Sequence, residues 1–176
     1  DSEKTHMTEM FKVIDDICGE HGLDQVLHPH VQTLVETRDD MHRVLDSCDV
    51  RWCLDTGHMA IGGQDPVEFA KDAFDRVGHV HLKDVNLSMV PKVMSREISL
   101  MNATQAGLFT SLGQGDVDIK GVIQALEGQG YQGWYVIEQD TAITAGMPAE
   151  GEGPVEDVKT SLDYLTDVVA PTLAKN

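Results

Sequence analysis

Three things are scarce in this chain of 176 residues, and each scarcity removes a class of protein. Basic residues are few: 13 Lys and Arg stand against 30 Asp and Glu, a formal net charge of −17. That surface repels phosphate backbones and anionic membranes, so no nucleic acid and no membrane is expected as partner, and a small neutral molecule is favoured. Long apolar runs are missing: nothing approaches the roughly 18 uninterrupted apolar residues of a membrane span. The polar opening DSEKTH is not a signal peptide. Cysteine is sparse and odd in number. Cys18, Cys48 and Cys53 lie among apolar neighbours and none forms a CxxC pair, which predicts reduced packing thiols and a cytoplasmic setting. What is present, 41% hydrophobic residues, suffices for a single domain over 1–176 with a core of its own.

A βα rhythm runs along the chain. Met7, Met10, Phe11, Ile14, Ile17 and Cys18 recur at helical spacing before Gly19 and Gly22. QVLHPHV (25–31) is a short strand candidate, and Thr37 caps a helix whose apolar face is Met41, Val44, Leu45 and Cys48. VRWCLDT (50–56) is the second strand. Asp65-Pro66 then opens a helix, VGHVHLKD (77–84) is the third strand, and WYVIEQ (134–139) is the fourth. A helix on Val122, Ile123, Ala125 and Leu126 precedes the fourth strand, and a last one carries Val158, Leu162, Leu165 and Val169. Strands apolar on both faces that alternate with helices predict an α/β fold with parallel strands. Residues 87–112 form an amphipathic insertion, expected as a helical excursion over the mouth, and AITAGMPAEGEGP (142–154) reads as a flexible, lid-like loop.

Each strand turns polar only near its carboxyl end, at His28, Asp55, His81 and Glu138, separated by 27, 26 and 57 residues. The near-constant spacing marks one repeating βα unit, with the insertion accounting for the long third interval. Ligands bind at the carboxyl ends of strands in open α/β sheets and barrels alike. Two imidazoles and two carboxylates at that edge suit Mn²⁺, Co²⁺, Fe²⁺ or Zn²⁺ better than Ca²⁺ or Mg²⁺. Each residue also has a plainer reading: Asp55 as a turn-forming Asx residue, His28 as strand-end packing before Pro29. His79, His81 and Lys83 share one strand face, and Glu138 follows four residues fit for burial, where an unpaired charge would be costly. His58, beyond the Thr56-Gly57 turn, faces the same cavity as a second ligand or a substrate hydrogen-bond donor, and His30 stands to His28 in a similar relation. His6, His21 and His42 fall on helices or their ends and read as solvated.

The segments HPHVQTLVET, CLDTGHMAIGGQDP, VGHVHLKD, GLFTSLGQGDVDI and GYQGWYVIEQD, in this order, resemble the carboxyl-terminal half of the xylose-isomerase-like barrel superfamily of sugar isomerases and epimerases. Within it they are most similar to the inosose dehydratase branch. The resemblance runs from about residue 7 to about residue 165 and includes the insertion. It implies a (β/α)8 TIM barrel, of which these four parallel βα units are the last four. It places Asp55, His81 and Glu138 at metal-ligand positions, with His28 where many members carry Glu, and His30, His58 and Lys83 at positions facing substrate. Gln32 stands where Gly is usual, and Val85-Asn86 replace a basic residue and Pro.

By that resemblance the expected activity is a metal-dependent lyase, using Mn²⁺ or Co²⁺ with Zn²⁺ or Fe²⁺ as alternatives. It dehydrates a keto-polyol of the 2-keto-myo-inositol type through a metal-stabilised enediolate. His58 and Lys83 are the catalytic candidates for base and acid, and His30 holds a hydroxyl. Returning the proton to the adjacent carbon makes the same enediolate an isomerase or epimerase intermediate. A DNA-repair endonuclease also uses this barrel, but it wants more ligands and a basic groove. Four strand units alone leave two sheet edges and an apolar inner face, which predicts either a homo-oligomer or an incomplete enzyme.

Overall fold

The computed structural model describes residues 2–173. A first helix, α1 (Ser2–Glu20), leads to strand β1 (Val26–Leu27), helix α2 (Arg38–Ser47) and strand β2 (Arg51–Asp55). Two short helices follow, α3 (Thr56–Ile61) and α4 (Pro66–Asp72), and then strand β3 (Val77–Leu82). The insertion starts with β4 (Asp84–Val85), passes through α5 (Val90–Met94) and α6 (Leu100–Gln105), and returns as β5 (Phe109–Thr110). Helix α7 (Ile119–Gly128), strand β6 (Tyr135–Ile137) and helix α8 (Pro154–Asp163) complete the order, with a wide π-type turn over Tyr164–Val169 behind α8.

Four strands form one all-parallel sheet in the order β1-β2-β3-β6. Side chains two apart on a strand share a face, and this sheet uses its faces differently. Trp52, Leu54, Val80 and Leu82 are buried on one side against α2, α4 and α7, whose contributions include Met41, Val44, Phe69, Val122 and Leu126. Trp52 and Phe69 meet edge to face at 5.3 Å. Cys53, Asp55, His79, His81 and Lys83 take the opposite phase. Helix starts are chemically fixed: Thr37 and Asp40 make a reciprocal capping box on α2, and Asp65 caps α4 with Pro66 at its first turn.

Register brings the polar strand ends level. Asp55 pairs with His81 across β2 and β3, Leu82 pairs with Ile137 across β3 and β6, and the Glu138 N–H donates to the Leu82 carbonyl at 3.0 Å.

Several elements are shorter than the sequence predicts. The strand expected at 25–31 stops at Leu27, because Pro29 offers no N–H and the following segment folds on itself, with His30 N–H donating to Val35 O at 3.1 Å. The strand expected at 134–139 is confined to Tyr135–Ile137. As an edge strand, β6 leaves Trp134 79% and Val136 37% exposed. The insertion is not wholly helical, since β4 and β5 pair antiparallel. The last helix hides little of its apolar face: Val158 and Leu162 are exposed and Val169 is buried. Exposed apolar side chains concentrate on α1 (Met10, Val13, Ile14, Ile17) and α8, the helices before and after the two edge strands. No helix among the described residues is long and apolar enough to cross a membrane.

Candidate metal centre

Asp55 closes β2 and caps α3, and its two oxygens divide the work. Oδ1 accepts the His58 N–H at 2.7 Å, which starts the helix. Oδ2 lies 3.2 Å from His28 Nε2, 3.6 Å from His81 Nδ1 and 3.7 Å from Lys83 Nζ. The turn-forming and site readings of this residue are therefore compatible.

His28, Asp55, His81 and Glu138 each present one ligand atom, and the four atoms all lie within 4.8 Å of one another. They come from the ends of β1, β2, β3 and β6, as parallel pairing in this register requires. His81 Nδ1 and Glu138 Oε2 approach to 2.7 Å, yet both are buried without a hydrogen-bond partner. His81 Nδ1 thus faces oxygens of both Glu138 and Asp55, 2.7 and 3.6 Å away, as ligands gathered about one ion would.

The electrostatics agree. Burial pushes the Asp55 carboxyl up, but His28, His81 and Lys83 outweigh it and hold the group well below the usual carboxylate range. Contact with His81 lowers Glu138, against burial. The His81 imidazole is raised to about 11 by Asp55 first, then by Cys53 and Glu138. Lys83 is 1% exposed and sits 3.3 Å from Glu138 and 3.0 Å from Asp140. Burial disfavours its charge, but Asp55, Asp140 and Glu138 more than compensate and its value rises. Three carboxylates face one ammonium, and the raised His81 imidazole supplies further positive charge; a divalent cation held there would take over that role and release the His81 proton. The mixed imidazole–carboxylate donor set fits a divalent transition-metal ion.

His58 lies outside that ligand group. It is buried, and desolvation in the first place lowers its imidazole to about 3, despite the nearby Asp55. The ring is thus neutral, and its Nε2 lies 3.1 Å from Lys83 Nζ. An ammonium cannot accept, so Nε2 accepts and the ring proton resides on Nδ1, which is buried without a partner. His30 lies against His58 with ring centroids 3.8 Å apart, and its Nδ1 is 2.8 Å from the Val31 carbonyl. Phe109 faces the Lys83 ammonium at 5.1 Å. Gly57 lets the Lys83 stem pass: a Cβ there would stand 2.6 Å from Lys83 Cγ. The Thr56 hydroxyl donates to Lys83 O at 2.7 Å and accepts from Lys83 N at 2.8 Å, fixing the strand end.

His30 and His58 open onto a cavity of about 650 Å³, walled by Leu100, Met101 and Phe109 from the insertion and by Asp140 and Ile143 from the segment after β6. The insertion and the start of the 142–154 loop thus border the site. Of the seven residues singled out in the sequence, four share the ligand group and His30, His58 and Lys83 adjoin it. His79 meets His81 edge to face at 5.2 Å but is not in the group, and His6, His21 and His42 are exposed. Asp140 and Thr56 were not foreseen. Asp140 was legible as the residue two beyond Glu138, on the same side of an extended chain.

The family model described as xylose isomerase-like TIM barrel matches residues 1–168. The inosose dehydratase of Geobacillus thermodenitrificans is 37% identical over 135 residues, covering 74% of this chain and 45% of that protein. That of Clostridium tetani is 32% identical over 137 residues, 76% of this chain and 46% of that protein. The chain spans about half the length of the curated relatives it matches. Among solved structures, the IolI protein with a bound zinc atom superposes with a TM-score of 0.67 at 19% identity, over 98% of this chain and 58% of the other. The 3-keto-D-glucoside 4-epimerase YcjR of E. coli gives 0.64 at 20% identity, over 93% and 53%. At those identities the likeness is one of fold.

Proposed function

The chain belongs to the xylose isomerase-like TIM barrel family, and from that premise we propose that it carries the metal centre and acid–base pair of an enzyme that removes water from a keto-polyol of the 2-keto-myo-inositol type. One observation carries the reading. Four ligand atoms converge within 4.8 Å at the ends of four parallel strands, beside a neutral imidazole held 3.1 Å from an ammonium.

His28, Asp55, His81 and Glu138 would hold the ion, with Mn²⁺ or Co²⁺ favoured and Zn²⁺ or Fe²⁺ as alternatives. When bound it supplies a Lewis acid that draws charge from a ketone oxygen and a neighbouring hydroxyl and so acidifies the C–H between them. The protein's own groups then divide the protons. His58 is neutral, and its Nε2 lone pair takes the α-proton as the Lys83 N–H turns from it to the departing hydroxyl. Lys83 is held in its proton-donating form, so it protonates the departing β-hydroxyl, which leaves as water. The 3.1 Å contact between the two returns the proton from His58 to Lys83 and resets the pair. His30 orders a substrate hydroxyl beside His58, while Leu100, Met101 and Phe109 provide an apolar wall against the carbon ring. Among the described residues that line it none is Lys or Arg, which suits a neutral polyol better than a phosphate.

The test is product analysis by NMR after the whole protein is incubated with 2-keto-myo-inositol and Mn²⁺ or Co²⁺. Loss of one water is expected. A product isomeric with the substrate would replace dehydration by isomerisation or epimerisation on the same centre, and absence of any conversion with a loaded metal would refute both.

A further inference from the structure

Among the described residues, two that are not glycine adopt a left-handed backbone, Gln32 at φ 67° and Arg96 at φ 63°. They lie far apart in the sequence, one in the segment after β1 and one just beyond α5, yet a single carboxylate engages both. Glu36, 9% exposed, accepts the Gln32 N–H on Oε1 at 2.8 Å and the Arg96 Nη2 on Oε2 at 2.6 Å. Left-handed conformations at residues with a Cβ persist where surrounding contacts over-determine them, and they gather at ligand clamps.

The two segments joined by Glu36 both line the cavity. The first carries His30, whose N–H donates to Val35 O and whose carbonyl accepts from Thr33 N. The second leads into α6, which carries Leu100 and Met101, and on to Phe109, all three lining the same cavity. Among the described residues, the Arg96–Glu36 ion pair joins these two segments directly.

We propose that Glu36 is a positioning residue for this cavity: by clasping Arg96 it seats the insertion against the His30 segment and so sets the width of the space a polyol must enter. This rests on the reading of the cavity as the substrate site. Among the described residues, the Glu36 carboxylate bonds to Gln32 and Arg96 and to neither the proposed ligands nor the His58–Lys83 pair. Its loss is therefore expected to alter substrate fit and leave the centre itself intact.

Two arms test it in the whole protein. In the first, hydrogen exchange is followed for Arg96→Ala and Arg96→Lys. Arg96→Ala should speed exchange at least tenfold at residues 32–36, which are remote in sequence, and Arg96→Lys should restore part of the protection. Unchanged exchange at 32–36 overturns the proposal whatever the substrate proves to be. In the second arm, Arg96→Ala should raise KM for the keto-polyol about tenfold while kcat and Mn²⁺ affinity stay within about twofold. An equal fall in Mn²⁺ affinity would mean a general loss of structure and also overturn it. If the unaltered protein converts no keto-polyol, the functional reading fails while the exchange arm still decides the clasp.

Discussion

Asp84 is the residue whose removal should most damage the insertion. It is 1% exposed and accepts four backbone N–H groups, from Val85 at 2.9 Å and Val117 at 3.0 Å on Oδ1, and from Gly113 at 2.8 Å and Gly115 at 3.0 Å on Oδ2. One side chain thereby folds the 111–117 turn back onto β4. In Asp84→Ala all four donors lose their acceptor, two of them, those of Val85 and Val117, in fully buried bonds. A buried unpaired donor costs about 1–3 kcal/mol, so those two alone put the loss at about 2–6 kcal/mol. At about 2–4 °C per kcal/mol for a domain of this size, the melting temperature should fall by about 10 °C. Asp84→Asn keeps one acceptor and turns an NH₂ toward the other pair of donors, so it should cost roughly half to all of the alanine loss. Urea and thermal denaturation of the two variants measure this. An alanine variant within about 1 kcal/mol of the parent would refute the assignment of the turn to these four bonds.

Gly57→Ala should displace the Lys83 stem, whose Cγ would lie 2.6 Å from the new Cβ, costing about 1–3 kcal/mol in stability and far more in turnover; paired melting and kcat measurements separate the two losses. Glu138→Ala removes one of the four proposed ligands and should weaken Mn²⁺ binding by about 100-fold or more in calorimetry, with removal of the ion by a chelator abolishing conversion and added ion restoring it. Stability should fall in acid partly through Glu36. Burial pushes its carboxyl up, but Arg96 and the Gln32 N–H outweigh this and the nearby Asp40, and the net value lies below 4.5. A lowered folded value gives stabilisation that is complete above about pH 4.5 and is lost as pH drops through the folded value. Glu36→Gln should therefore flatten the stability curve below about pH 4.5 in urea titrations, and an unchanged acid limb would contradict the pairing.

The convergence of His28, Asp55, His81 and Glu138 was legible because it obeys a local rule. Parallel strands end their apolar run at the same edge, so a carboxylate or imidazole at the last strand position is marked by its own neighbours, as Asp55 is by RWCL and Glu138 by WYVI. Repeat spacing supplied the correspondence between units. The capping of α2 by Thr37 and of α4 by Asp65-Pro66 was readable for the same reason, since a cap bonds to N–H groups two or three residues on.

What the tertiary structure alone decided are contacts between segments with no shared period. Lys83 and Asp84 are adjacent, yet the strand pleat sends one into the carboxylate cluster and the other into the 111–117 turn. Glu36 reads as an ordinary loop acid until Arg96 arrives from the insertion. The exposure of Val136 follows from its place on an edge strand, which alternation of apolar residues cannot reveal. Sequence pattern encodes which face of an element is polar, because that depends on its own backbone geometry. Which distant group meets that face depends on how the whole chain packs, and only the assembled fold settles it.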